Sequence, residues 1–181
     1  MSTEHIDLSY VPQAGVTRMA GADRVGVQVA VKDDRPAHGV AFKANGYGME
    51  MAEIYVDEDI PGLIKDGIQA ELTNRGYQIK PGGLQVDVAL GRFRNHFESG
   101  FFSGTATADL EMNVTVAQSD NRVVFNKMIV AQGVNPGIQL ADGENAKIAL
   151  NAALQDAIGK IFADPDFIKA LTGAGAPAVV G

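Results

Sequence analysis

The sequence predicts an α+β fold in two layers, a mainly antiparallel twisted sheet with two main helices packed on one face. Three observations carry that expectation. Val25, Val27, Val29 and Val31 recur at every second position, with Gly26, Gln28 and Ala30 between them. Ala106, Ala108, Leu110, Met112, Val114 and Val116 alternate in the same way with Thr105, Thr107, Asp109, Glu111, Asn113 and Thr115. Both runs have the period of a strand buried on one side. Two other segments, 60–72 and 144–162, space their apolar residues for one face of a helix. A sheet with one apolar face needs a cover, and two amphipathic helices provide it.

Taken in order, Ile6, Leu8 and Tyr10 alternate with Asp7 and Ser9 and predict a short first strand. Pro12, Gly15 and Gly21 make residues 11–23 a loop before the valine strand, and Pro36 makes 32–38 another. Val40 to Phe42 and Ala52 to Val56 predict two short strands, joined through a tight turn at Asn45-Gly46. Asp57-Glu58-Asp59 then offers caps for a helix. Pro61 is tolerated in its first turn, where a missing N–H has no helical partner anyway. Ile60, Leu63, Ile64, Ile68 and Leu72 form the helix's apolar stripe, and Gly76 is its stop.

Val86, Val88 and Leu90 predict the next strand, whose pattern breaks at Gly91-Arg92, the signature of a bulge. The strand on Ala106 to Val116 follows. It turns at Ser119-Asp120-Asn121 and returns over Val123 to Ala131, where the inward face cannot be assigned. A second helix from about Glu144 to Phe162 buries Leu150, Leu154, Ala157, Ile158 and Ile161. Asp164-Pro165 opens a short third helix with Phe167, Ile168 and Leu171 on one side and Gly173 at its end. Residues 1–172 are thus expected to form one domain, and 173–181 a flexible C-terminal tail.

Composition narrows the function classes. The 181 residues carry a formal net charge of −7, and the 15 Lys and Arg are dispersed. A phosphate-backbone binder needs a concentrated positive footprint, so no nucleic-acid partner is expected. The chain has no Cys, which excludes disulfides, zinc thiolates and thiol nucleophiles. No apolar run reaches the roughly 18 residues of a spanning helix. The polar start, Met1 to His5, does not read as a signal peptide, so a cytosolic protein or a mature, trimmed form is expected.

Recognisable chemistry is sparse in the sequence, and no catalytic, cofactor-binding or metal residues are assigned. His5, His38 and His96 stand in separate segments without a second His one helical turn away. Asp57, Asp59 and Gly62 superficially resemble a calcium loop, but Ile68 stands where the bidentate Glu belongs, which favours helix capping. Gly100-Phe101-Phe102-Ser103-Gly104 lacks the G-x-S-x-G spacing, and Gly46-Tyr47-Gly48 lacks the third glycine of a dinucleotide site. Asp33-Asp34-Arg35 suggests a local ion pair that pins a loop. Two features hold more promise. Phe93, Phe97, Phe101 and Phe102 interleave with Arg92, Arg94 and His96; the rings either finish the core of a long hairpin or form an exposed loop that docks a partner or a membrane interface. The polar face built on Thr107, Asp109 and Glu111 is either a solvated surface or a docking one.

Ile6-Asp7-Leu8-Ser9-Tyr10, the run Val27 to Arg35, Asn45-Gly46-Tyr47-Gly48, Leu72-Thr73-Asn74-Arg75-Gly76-Tyr77 and Leu150-Asn151-Ala152-Ala153-Leu154 together resemble the YajG-like lipoprotein family of Gram-negative bacteria. The resemblance implies a non-enzymatic accessory domain on the periplasmic side of the outer membrane, tethered through an N-terminal lipidated Cys. This sequence has no such Cys, so a soluble form of the tethered domain is expected, with the membrane reached only through that anchor. The implied partner is an envelope protein, glycan or lipid, with homo-oligomerisation also open. The residue patterns leave two rival readings. One is a cytosolic interaction module that dimerises through a strand edge. The other is a small hydrolase assembled from His96, Ser103 and Asp109.

Overall fold

The computed structural model describes residues 3–173, so most of the expected 173–181 tail lies outside the described residues. Two sheets form. The larger has the strand order β5-β2-β6-β7-β8 and the smaller β1-β4-β3. The strands are β1 (Glu4–Ile6), β2 (Gly26–Asp33), β3 (Ala41–Ala44), β4 (Glu50–Val56), β5 (Gln78–Ile79), β6 (Leu84–Ser99), β7 (Gly104–Ala117) and β8 (Val123–Ile138). The helices are α1 (Ile60–Asn74), α2 (Gly143–Ala163) and α3 (Pro165–Gly173). The α+β class is as the sequence predicts and the long β6–β7–β8 pairings are antiparallel, but in place of a single sheet there are two mixed ones. β2 runs parallel to both β5 and β6, and β1 parallel to β4. The chain between β2 and β6 crosses through α1, and such a crossover returns a strand parallel to its partner.

The apolar faces fall where the alternation places them. Val25, Val27 and Val29 are buried, as are Ala106, Ala108, Leu110, Met112, Val114 and Val116. α1 covers β2, while α2 lies over β7 and β8. At Gly133 in β8 the helix backbone comes so close that a Cβ would stand 2.0 Å from the Ala149 carbonyl oxygen, so only glycine fits.

β6 contains the predicted bulge. Leu90 pairs with Met112 and Arg92 with Glu111, leaving Gly91 without a partner. Beyond it β6 has a new neighbour. β2 last pairs with it at Leu90, and the next bond from that side is Asn95 N–H to the Val40 carbonyl at 2.6 Å. The small sheet therefore continues the large one past the bulge.

Three local expectations need correction. The first strand ends at Ile6 rather than Tyr10, because the Tyr10 hydroxyl leaves to donate to Glu71 at 2.6 Å. Asp59 occupies the N-cap of α1 without a side-chain cap bond. Its acidic neighbours instead fasten the N-terminal segment: Glu58 accepts from Leu8 N–H at 2.9 Å, and Asp57 contacts His5 Nδ1 at 2.8 Å. The valine strand also extends through Asp33, into the expected loop.

β8 resolves the ambiguity of the return strand. Phe125, Ile129 and Ala131 point inward, while Val124, Met128, Val130 and Val134 are exposed on the other face. Lys127 shares the inward parity, yet its ammonium reaches Asp164 at 2.5 Å at the α2–α3 junction. Asp164 also accepts from the Asp166 and Phe167 amides, which caps α3. The outer edge of β8 is partly satisfied by α2: Lys160 donates to the Val130 carbonyl at 2.9 Å, and Asp156 accepts from Gln132 N–H at 3.3 Å. Such capping blunts an edge against further pairing.

One buried polar network ties the long N-terminal loop to the helices. Glu71 is fully buried on α1 and accepts from Tyr10, from the Gln13 amide at 2.7 Å and from Arg75. Arg75 also donates to Gln13 Oε1 at 2.9 Å and lies over the Phe162 ring of α2 at 4.5 Å. Burial pushes the Glu71 carboxyl upward, but the donors from Tyr10, Gln13 and Arg75 outweigh it and hold it below its ordinary 4.5.

A carboxyl with a lowered folded pKa stabilises fully above its unfolded value, and that contribution disappears as pH falls through the folded one. Thermal stability should therefore drop on acidification below pH 4.5. Glu71→Ala should cost about 3–5 kcal/mol at neutral pH, because it strands Arg75, and should flatten the acid limb. Melting curves across pH check both; an unchanged acid limb in the variant would remove Glu71 as its source.

Candidate functional site: an aromatic end built from three loops

The phenylalanines divide along β6 and its turn. Phe93 pairs with Leu110 on the inner face and is 2% exposed, so it takes the core role and leaves the set of candidate contacts. Phe97 is partly buried against the same core. Phe101 and Phe102 are 94% and 87% exposed in the β6–β7 turn, packed edge to face with ring centres 4.8 Å apart. The turn closes with the Gly100 amide donating to the Ser103 carbonyl at 2.9 Å. A Cβ at Gly100 would meet that carbonyl oxygen at 2.3 Å, so glycine is required there.

Two further loops stand beside this turn. In the β3–β4 turn the Asn45 side chain accepts from the Tyr47 and Met49 amides, both at 3.0 Å, and Gly48 has a positive φ of 79°. This geometry leaves Tyr47 92% exposed, with Met49 also exposed. The β8–α2 loop presents Leu140. An Ala44–Ala141 bridge and the Gly104–Ile138 pairing hold the loops together. Between them lies a groove of about 250 Å³ whose lining includes Asn45, Phe97, Phe101, Phe102 and Leu140. In the sequence Tyr47 stands only as the residue between Gly46 and Gly48, and Met49 and Leu140 belong to no motif. An aromatic inside a turn as tight as Asn45-Gly46-Tyr47-Gly48 has no core to enter, and that was the available signal.

The polar face lies around the corner, on the outer side of the sheet. Thr107 is nearly buried there, whereas Asp109 and Glu111 are half-buried. Asp109 Oδ2 is 3.8 Å from Arg92, on the neighbouring strand, and 3.7 Å from His96. Ser103 is not part of this cluster. It sits in the turn, four positions along from Thr107, the residue paired with His96, which is roughly 13 Å of strand. The hydrolase constellation of His96, Ser103 and Asp109 is therefore not brought together. No group of three or more His, Cys, Asp or Glu side chains able to hold a metal forms among the described residues.

A sequence profile of a family described as "uncharacterized lipoprotein" matches residues 12–172. The chain belongs to this family of YajG-like lipoproteins. A search of curated proteins finds no match. Among solved structures, the lipoprotein domain is similar to a Xanthomonas campestris protein of the DUF330 family, at 14% identity and a TM-score of 0.64, covering 93% of this chain and 96% of that one. A minor lipoprotein from Acinetobacter baumannii is also similar, at 9% identity and a TM-score of 0.48, covering 80% and 92%. The first likeness shows a shared fold. Family membership makes the chain an envelope-associated lipoprotein. No helix among the described residues is long and apolar enough to cross a membrane.

The two kinds of phenylalanine should separate on substitution. Phe93→Ala should cost about 3–5 kcal/mol, and Phe101→Ala or Phe102→Ala no more than about 0.5 kcal/mol each. Urea denaturation measures all three. A cost at Phe101 or Phe102 comparable to that at Phe93 would place those rings in the core.

Proposed function

We propose that this lipoprotein domain is a non-enzymatic binding module on the periplasmic side of the outer membrane, lipid-anchored in its native precursor, and that it engages an envelope protein through its aromatic end. The observation that carries the reading is a groove lined by exposed Phe101, Phe102 and Leu140, with exposed Tyr47 and Met49 in the same turn as the lining residues Asn45 and Gly46. Large apolar side chains gathered on adjoining loops of a rigid scaffold are the usual make-up of a contact surface. The groove is concave and suits a protruding apolar segment of a protein. The net charge of −7 disfavours docking on an anionic lipid surface. Family membership supports the envelope setting.

Photo-crosslinking in intact cells tests the proposal. A photoreactive residue at position 102 or 47 should give one discrete protein adduct, and one at Asp120, in the turn between β7 and β8, should not. Phe101→Ala combined with Leu140→Ser should abolish the adduct while leaving the melting curve unchanged. Equal adducts from position 120, or adducts that survive the double substitution, would overturn the assignment. An adduct only to lipid or glycan would sink the protein partner, and an adduct to a second copy of this chain would replace it by self-association.

A further inference from the structure

We propose that the gap between the 34–39 loop and β6, beside the Gly91 bulge, binds a phosphate group. Between the bonds at Leu90 and Asn95 the loop bows away from β6, leaving a cavity of about 290 Å³. Its lining includes Arg35, Gly91, Arg92, Phe93, Arg94 and Glu111. Arg35, Arg92 and Arg94 bring three guanidinium groups to this lining; Asp33 pairs with Arg35, Asp109 stands beside Arg92 and Glu111 is the lining carboxylate, while Arg94 has no ion pair among the described residues.

Arg35 is the decisive residue. Its side chain is only 5% exposed. Asp33 takes up Nε at 2.9 Å and Nη2 at 2.8 Å, which fixes the guanidinium plane. The remaining nitrogen, Nη1, lies on the side away from that carboxylate and is buried without a hydrogen-bond partner. A buried donor left unsatisfied is costly, and pinning the loop accounts for only the other two nitrogens. Arg94 is also pre-set: its guanidinium lies over the Phe42 ring at 4.9 Å, which holds the plane and leaves its N–H edges free. Among the described residues neither the Arg92 nor the Arg94 side chain makes a hydrogen bond, although Arg92 stands 3.8 Å from Asp109. Planar, oriented guanidinium groups are the side chains best matched to phosphate oxygens. The cavity is larger than a phosphate group alone, so an ester substituent can extend outward. This inference uses no residue exposed at the aromatic end, and either proposal can fail without the other.

Nuclear magnetic resonance titration of the labelled protein with inorganic phosphate tests it. Saturable shifts should localise to the Gly39 and Gly91 amides and the Arg35 guanidinium. Arg35→Gln would also unpin the loop, so the more exposed arginines carry the comparison. Arg92→Gln with Arg94→Gln should weaken binding about tenfold or more. Glu111→Gln should tighten it, and Arg122→Gln, in the distant β7–β8 turn, should leave it unchanged. Flotation with phosphatidic acid vesicles, against phosphatidylcholine vesicles, identifies the source. Arginine-dependent co-flotation indicates a lipid headgroup, and its absence beside saturable phosphate binding indicates a soluble phosphate. Shifts that never saturate, or an Arg122→Gln loss equal to that of the double variant, would overturn the proposal.

Discussion

In β6, Val86, Val88 and Leu90 face the core at even-numbered positions, and beyond the bulge Phe93 and Asn95 do so at odd-numbered ones. The unpaired Gly91 makes that change. Were the original parity to continue, Arg92, Arg94 and His96 would enter the core and Phe93 would leave it. An unpaired buried guanidinium costs several kcal/mol, more than the burial of one aromatic ring returns. The extra residue therefore settles which chemistry each face of the distal hairpin shows. It also coincides with the point where β2 leaves the sheet and β3 approaches, which opens the arginine-lined gap.

Everything distal to the bulge depends on a firm proximal half. α2 lies directly on Gly133, α1 closes over β2, and the Glu71–Arg75 network stitches the N-terminal loop across both helices. Lys127 and Asp164 lock the far end of β8 to the start of α3. Little of this packing reaches the loop tips, so Phe101, Phe102 and Tyr47 are free of any duty in the core. Rigid elements with unburdened loops are the arrangement in which binding surfaces arise.

The sequence showed clearly whatever depends on local periodicity and punctuation. The valine strand, the alternation from Ala106 to Val116, both long helices, the stop at Gly76 and the bulge at Gly91 all follow from neighbours within a few residues. Features set by distant partners were illegible. Tyr10 continues the alternation of Ile6 and Leu8, yet Glu71, 61 residues away, draws it out of the strand. The parity of β8 was hidden because Lys127 faces inward and finds Asp164, while Met128 and Val130 face solvent. The four phenylalanines read as one motif, although the strand register divides them between core and tip. Leu140 and the turn that carries Tyr47 come beside Phe101 and Phe102 through the Ala44–Ala141 bridge and the Gly104–Ile138 pairing, which no local pattern announces.

The parity change at Gly91 is the claim on which the faces of the molecule rest, and deleting that single residue tests it most directly. A Cβ at position 91 would meet only the Glu111 carbonyl oxygen, at an unstrained 3.8 Å, so Gly91→Ala serves as the control and should stay within about 1 kcal/mol of the parent. Without Gly91, Leu90 runs directly into Arg92, and plain alternation keeps Arg92 and Arg94 outward and Phe93 inward, so the deletion variant should lose the bulge yet still unfold cooperatively, within about 3 kcal/mol of the parent. Loss of cooperative unfolding on deletion, as expected if Gly91 were an ordinary paired strand residue whose removal turns Arg92 and Arg94 into the core, would contradict the account.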